Sequence, residues 1–157
     1  MDIEPLPSAG IGEVLGLLEM LEDARGKEDI FELAKDLFME LDDIGPVIEA
    51  ARILGFVDTA NGDISITESG ATLLNADINE RKKILADSIL KLHVFRNVID
   101  FLMKKHKNAK REAVVKFFSK KMADEDAEKL FDTMVEWGRF AEILSYDAKE
   151  EILHLEI

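Results

Sequence analysis

The chain has 157 residues, 47% of them hydrophobic, and a formal net charge of −13, values typical of one globular domain or of two small ones. It contains no cysteine, which excludes disulfides and thiolate metal sites, and no apolar run approaches the roughly 20 residues that span a bilayer. The acidic N-terminus lacks the basic and apolar regions of a signal peptide, so we expect a cytoplasmic protein.

Residues 1–76 predict three helices followed by a β-hairpin. Apolar residues recur at helical spacing in segments that begin near residues 11, 29 and 42, and Pro46 is expected in the first turn of the third helix. Gly55 is a candidate helix C-cap, and Asn61-Gly62 is the strongest short hairpin signal. Thr67 then predicts the N-cap of a short helix over 68–75.

Residues 77–157 repeat this order of helices and then a hairpin. Asp77 and Glu80 have the spacing of a capping box and begin a long helical stretch to about Lys105, with a bend near residues 92–95. Two further helices are predicted over about 110–120 and 124–137, and Gly138 is expected to end the second. The segments 140–144 and 152–155 are predicted to be the strands of a second hairpin.

The fold class that follows is mostly α with small β-hairpins, arranged as two tandem winged-helix-like units that share an interface. The units are predicted over residues 1–76 and 77–157, and no Pro/Ser-rich linker separates them. The repeat is one of layout, because residue-level similarity between the halves is slight.

Motifs for catalysis and for cofactor binding are missing from the sequence. There is no G-x-x-x-x-G-K-[ST] phosphate loop, no H-x-x-x-H pair and no recognisable nucleophile, so we predict no catalytic residue, no cofactor and no metal site. The three histidines lie on different predicted elements and are interpreted as ordinary surface or boundary residues: His93, His106 and His154. We therefore expect a chain that is not an enzyme.

The winged-helix layout suggests DNA binding, and charge provides a test of that suggestion. The recognition helix would be residues 43–54, in which Arg52 is the only cation, and the candidate wing over 56–66 has no lysine or arginine. Duplex binding depends on several cations that neutralise phosphates. The sequence therefore disfavours nucleic acid as a partner of the first unit.

Charge differs between the halves: residues 1–76 hold 17 acidic and 4 basic side chains, whereas residues 77–157 hold 16 of each. Eight cations opposed only by Glu112 form a run that we call the basic edge: Lys104, Lys105, Lys107, Lys110, Arg111, Lys116, Lys120 and Lys121. A solvated helical edge is the first interpretation. A docking edge for an acidic surface, on a partner or on residues 1–76 of a second copy, is the second, and nucleic acid is the third.

Residues beside the second hairpin complete the candidate interface. Exposed charges each contribute only about 0–1 kcal/mol, so docking through the basic edge also needs an apolar anchor. Trp137, Phe140 or Tyr146 would supply it, next to Arg139. For Trp137, packing in the core is the favoured alternative to a place in an interface.

Four segments of the sequence resemble one known family. They are Pro5-Leu6-Pro7 with residues 12–19, Leu54-Gly55-Phe56 with Ile66-Thr67 and Gly70, residues 76–82, and residues 137–142 with Tyr146-Asp147. In this order they resemble the AAA-associated C-terminal domain, which is usually appended to ATP-binding subunits of nitrate/sulfonate/taurine-type ABC importers. The resemblance covers nearly the whole chain.

The resemblance implies an accessory domain with a regulatory role, joined to or acting with an ABC transporter ATP-binding subunit. Through that partner it would lie at the cytoplasmic face of the membrane, without inserting into it. The resemblance brings no catalytic residues. The leading hypothesis is thus a protein-binding regulatory module, with a homodimer as a further association, and its rival is a stand-alone winged-helix transcriptional regulator that binds DNA.

Overall fold

The computed structural model describes residues 3–157. Within them, eight α-helices and six short strands form two compact units, each with one antiparallel three-stranded sheet. One unit comprises residues 7–84, and the other comprises residues 85–157 together with residues 3–6. The mostly helical fold class with small β elements is confirmed, while its winged-helix-like detail stays a prediction.

The unit of residues 7–84 places one strand between its first two helices and a hairpin after its third. Its elements are α1 (Ile11–Asp23), β1 (Lys27–Asp29), α2 (Ile30–Asp36), α3 (Leu41–Ile53), β2 (Val57–Ala60), β3 (Asp63–Ile66) and α4 (Glu68–Asn75). The strand order is β1-β3-β2. Helix α5 (Ile78–Ile89) follows, and the division between the units falls within it.

The corner that joins the hairpin to α4 is built as the sequence predicts. Asn61 and Gly62 both have positive φ, 54° and 83°, which is the geometry of a two-residue hairpin turn. Thr67 caps α4, because its hydroxyl accepts a hydrogen bond from the Gly70 N–H at 3.0 Å and donates one to the Gly55 carbonyl at 2.7 Å. A Cβ on Gly70 would lie 2.3 Å from the Phe56 carbonyl oxygen, so only glycine fits there.

The unit of residues 85–157 repeats the element order. It contains α6 (His93–Met103), β4 (Asn108–Lys110), α7 (Arg111–Ser119), α8 (Asp124–Phe140), β5 (Leu144–Asp147) and β6 (Ile152–Leu155), with the strand order β4-β6-β5. Phe95, Phe118, Phe131 and Trp137 are almost completely buried in its core. Ile3 and Leu6, from the segment that groups with this unit, are buried as well.

Several local predictions are corrected by the structure. Gly138 does not end α8, which continues to Phe140; instead, a Cβ at Gly138 would meet Leu144 Cδ1 at 2.5 Å. Because the helix occupies residue 140, the first strand of the second hairpin begins at Leu144. Pro46 lies in the second turn of α3 rather than in the first, because that helix begins at Leu41.

Two elements differ from the sequence-based expectation in kind. Each predicted two-stranded hairpin gains a third strand, β1 or β4, which pairs with the second strand of the hairpin. The predicted bend near residues 92–95 is a full break, since α5 ends at Ile89 and α6 begins at His93. The Arg96 guanidinium spans this break by donating to the Lys91 carbonyl at 2.7 Å. No helix within residues 3–157 is long and apolar enough to cross a membrane.

Candidate protein-interaction surface

The basic edge begins where α6 ends. Lys104 is the C-cap residue of that helix, and Lys105 and Lys107 lie in the turn that leads to β4. Two backbone hydrogen bonds fix this turn: the Lys107 N–H donates to the Leu102 carbonyl, and the Leu155 N–H donates to the Lys107 carbonyl, both at 2.8 Å. The three exposed lysines are therefore presented from a backbone of defined conformation.

A pair of stacked aromatic rings accompanies the lysines. Phe101 of α6 and Phe117 of α7 stack with ring centroids 4.7 Å apart and planes inclined by 24°. The ammonium group of Lys105 lies 5.7 Å from the centre of the Phe101 ring, a distance that allows a cation–π interaction. Both rings are half-buried, so this part of the basic edge combines cations with accessible aromatic surface.

Arg111 belongs to the basic edge in sequence, but its charge is already used within the unit. Its guanidinium donates to Glu128 at 2.5 Å and to Asp132 at 2.9 Å, and it lies 4.5 Å from the centre of the Phe131 ring. Burial alone would lower the pKa of Arg111. Hydrogen bonds to Glu128, Asp132 and Tyr146 outweigh the effect of burial and raise the pKa above its usual value. Arg111 is therefore a permanently charged clamp between α7 and α8.

Beside Arg111, the surface changes from basic to acidic. Lys110 Nζ donates to the Glu150 carbonyl oxygen at 3.0 Å, next to the turn between β5 and β6. An open groove of about 620 Å³ runs along α7, with four carboxylates and two cations in its lining: Glu112, Asp124, Glu128, Glu151, Arg111 and Lys116. The groove is net acidic, and Lys116 is the one lysine in its lining.

The remaining lysines carry the free positive charge of the basic edge. Within residues 3–157, no ion pair forms at Lys104, Lys105, Lys107, Lys116, Lys120 or Lys121. All six side chains are exposed. A partner surface that presents carboxylates could pair with them without first breaking ion pairs inside the unit.

The structure separates the candidate residues beside the second hairpin. Trp137 is completely buried, so it packs in the core and leaves no surface for a partner. Tyr146 is half-buried and meets Phe131 edge to face, with centroids 5.4 Å apart, so it belongs to the cluster around Arg111. Phe140 is exposed at the end of α8, and Arg139 next to it lines a separate open groove of about 440 Å³.

A surface that sequence analysis missed lies on the unit of residues 7–84. Phe31 in α2, Phe38 in the turn after it and Leu41 at the start of α3 are 64%, 96% and 43% exposed, and we call them the Phe38 patch. Phe31 and Phe38 fall outside the apolar stripe through which α2 packs, at Leu33 and neighbouring positions. Aromatic residues off a buried stripe are the signal that could have revealed this patch from the sequence.

The histidines do not gather with other metal-ligating groups in the part of the chain that the structure describes. No three His, Cys, Asp or Glu side chains converge there to hold an ion. His93 and His106 are exposed, and His154 is half-buried in β6.

The fold is that of a small, mostly helical domain built from two units with the same order of elements. The C-terminal AAA-associated domain family matches residues 31–147, from α2 of the first unit to the end of β5 in the second. The match covers more than half of the chain, which belongs to this family. No curated protein and no solved structure matches the chain.

Proposed function

We propose that the chain is a non-catalytic regulatory module that acts with the ATP-binding subunit of an ABC importer of the nitrate/sulfonate/taurine type. The observation that carries the proposal is membership of the C-terminal AAA-associated domain family, which fits an accessory module linked to an ATPase. The module would work in the cytoplasm, at the face of the membrane where such a subunit is held by its transporter.

The basic edge is the surface that we assign to this docking. Its six lysines without ion pairs in residues 3–157 form a cationic surface next to the half-buried Phe101–Phe117 stack. A partner with carboxylates around an apolar centre would complement it in charge and in polarity. Cationic rims of this kind raise association rates and set orientation, while the aromatic surface contributes affinity.

The absence of catalysis is also part of the proposal. A chain that hydrolyses ATP needs backbone N–H groups and a lysine to hold the phosphates, usually in a glycine-rich loop. The sequence contains no such loop. Turnover would therefore belong to the ATPase partner, and the module would change its rate.

A winged-helix transcriptional regulator is the second candidate function. The observation that favours it is the order of helix, strand, two helices and hairpin in both units. Charge supports the protein-binding proposal instead. On α3 the one cation, Arg52, is paired with Glu49, and this hydrogen bond raises the pKa of Arg52. Helix α8 carries six carboxylates and two cations, so neither third helix offers the cations that a duplex needs.

A capture experiment with matched charge variants tests the proposal. The full chain is immobilised and exposed to native lysate of the source cells, and the bound proteins and nucleic acids are identified. We expect the wild-type chain to enrich an ABC ATP-binding subunit. The variant in which Lys104, Lys105, Lys107 and Lys120 are replaced by Glu should lose it, because four rim cations become repulsive charges.

The control reverses four exposed cations outside the basic edge, Lys83, Lys91, Lys129 and Lys149, and so changes net charge equally. With the captured subunit purified, association rates are compared across a salt series. We expect the edge variant to associate at least about tenfold more slowly at low salt, where charges act over a longer distance, and the control to match the wild type. Capture of DNA rather than of an ATPase would favour the transcriptional alternative.

A further inference from the structure

Neither packing nor turn geometry explains why residue 38 is a phenylalanine. It has a positive φ of 55°, a conformation that is unfavourable for a bulky L-residue. The turn is held by hydrogen bonds from the Phe38 N–H to the Lys35 carbonyl at 3.1 Å and from the Met39 N–H to the Ala34 carbonyl at 2.9 Å. Glycine or asparagine would suit this turn better, and the ring itself is almost fully exposed.

The patch around Phe38 is as large as an apolar recognition surface. With Phe31 and Leu41 it exposes roughly 400 Å² of apolar area, taking about 200 Å² for a whole aromatic side chain. Five exposed carboxylates and one cation surround it in sequence: Glu32, Asp36, Glu40, Asp42, Asp43 and Lys35. A surface that covers this patch should therefore be apolar at its centre and cationic at its rim.

The chain itself carries a surface of that description. On the unit of residues 85–157, Lys105 of the basic edge lies over the half-buried Phe101–Phe117 stack, and Met103, two positions before it, is exposed. Residues 31–43 carry a net charge of −4, and residues 104–121 carry +7. The two surfaces are complementary in charge, and each offers apolar area that needs a partner.

We propose that the Phe38 patch of one copy docks on the basic edge of a second copy. The contact joins two different surfaces, and each copy carries both of them. It goes beyond the proposed function, because it requires only the chain itself. Since the ATPase partner is assigned to the same basic edge, self-association and partner docking exclude each other.

Sedimentation velocity of the full chain tests the proposal, from about 10 µM to about 1 mM, a range that brackets weak affinities. We expect association that grows with concentration and weakens as salt rises. Phe38→Asn should weaken it at least about tenfold, as the loss of a central aromatic anchor does. Asparagine accepts the positive φ, so this variant keeps the turn. Ile78→Asn is the control, because Ile78 is 73% exposed but lies outside the patch.

A mixing experiment identifies the two faces of the contact. One variant lacks the patch, through Phe31→Ser with Phe38→Asn, and the other lacks the edge, through Lys104, Lys105, Lys116 and Lys120 replaced by Glu. Each variant alone should stay monomeric, and an equal mixture should form dimers and nothing larger, because one intact patch meets one intact edge. Wild-type chains that remain monomeric throughout, or an edge variant that dimerises alone, would overturn the proposal.

Discussion

The turns of residues 7–84 and of residues 85–157 form the same backbone hydrogen bonds from different residues. After the first helix of each unit, the Gly26 N–H donates to the Leu21 carbonyl at 2.6 Å, and the Lys107 N–H donates to the Leu102 carbonyl at 2.8 Å. Gly26 and Lys107 both have positive φ, 93° and 71°. A charged residue in the second unit thus takes the conformation that glycine adopts in the first.

A charged residue replaces glycine in the same way after the third helix of each unit. There the Phe56 N–H donates to the Ala51 carbonyl at 2.9 Å, and the Ile143 N–H donates to the Gly138 carbonyl at 2.8 Å. The residues just before these donors have positive φ: Gly55 at 85° and Glu142 at 59°. In the hairpin turns, too, a glycine with positive φ in the first unit, Gly62, corresponds to a charged residue with positive φ in the second, Glu151.

One exposed segment of the two units is, by contrast, opposite in character. In the first unit, the segment from α2 to the start of α3 carries the Phe38 patch and its carboxylates, whereas the turn between α7 and α8 in the second unit carries Lys120 and Lys121. One pattern of backbone hydrogen bonds therefore supports an acidic, apolar surface and a cationic one. The element order alone therefore does not distinguish these two surfaces; the side chains at each turn do.

The largest difference in stability between the two units is expected when their helical glycines are replaced by alanine. A Cβ on Gly70 would lie 2.3 Å from a backbone oxygen of Phe56, whereas one on Gly138 would meet the side chain of Leu144 at 2.5 Å. We expect Gly70→Ala to lower the free energy of unfolding by about 3 kcal/mol, because the Phe56 carbonyl belongs to the backbone and cannot move out of the way as a side chain can. Gly138→Ala should cost about 1 kcal/mol, since Leu144 can move and alanine favours the helix.

Urea unfolding measures this difference with two probes. Circular dichroism follows the helices of both units, and Trp137 fluorescence reports only on the unit of residues 85–157. Gly70→Ala should shift the circular dichroism transition with a smaller change in the Trp137 transition. Equal losses in the two variants would mean that the two glycines have equivalent surroundings.

The next effect concerns Arg111, whose backbone position corresponds to that of Ile30. The backbone N–H of Arg111 donates to the Glu151 carbonyl at 2.8 Å, just as the backbone N–H of Ile30 donates to the Gly62 carbonyl at 2.9 Å. We expect Arg111→Ile to cost about 1–2 kcal/mol, because two ion pairs and one cation–π contact are lost at a side chain that is 25% exposed.

The Trp137 transition in urea measures the stability of the Arg111 variant, at low and at high salt. The loss should shrink as salt screens the ion pairs. Lys129→Ile is the matched control, since its pair with Glu125, at 3.8 Å, joins two exposed side chains and should contribute within about 0.5 kcal/mol. If Arg111→Ile leaves the transition unchanged, the clamp between α7 and α8 contributes no net stability.

The smallest effect tests the exchange of glycine for lysine at the first turn. Lys107→Gly should stabilise its unit by up to about 1 kcal/mol, because glycine accepts positive φ without strain. Gly26→Lys should destabilise the other unit by a similar amount, for the reverse reason. Thermal unfolding of both variants checks the signs. As control, Lys104→Gly should destabilise, since Lys104 has a φ of −71° and gains nothing from glycine.

Local signals allowed much of the fold to be predicted from the sequence. Asn61-Gly62 and Thr67 specify their turn and cap through their own side chains and φ preferences, so neighbouring residues sufficed. The strands β1 and β4 were missed, because each has three mostly polar residues and exists through pairing with a distant strand. The end of α8 was misplaced because Gly138 is explained by its close approach to Leu144 rather than by a helix end.

The candidate surface was predictable in its charge but not in its details. The lysine run can be read from the sequence, whereas the clamp at Arg111 depends on Glu128 and Asp132, which lie 17 and 21 positions away. Burial of Trp137, by contrast, agrees with the interpretation that the sequence favoured. The Phe38 patch was missed because the direction of the Phe38 ring depends on a positive φ that its residue type disfavours.

The grouping of residues 3–6 with residues 85–157 has a consequence for folding during synthesis. A growing chain emerges at about 5–20 residues per second, so residues 3–6 precede the completion of their own unit by on the order of ten seconds. The unit of residues 7–84 can close during that delay, while Ile3 and Leu6 wait without the surface that buries them. Ile3 and Leu6 thus reach their native surroundings only after the rest of their unit has been made.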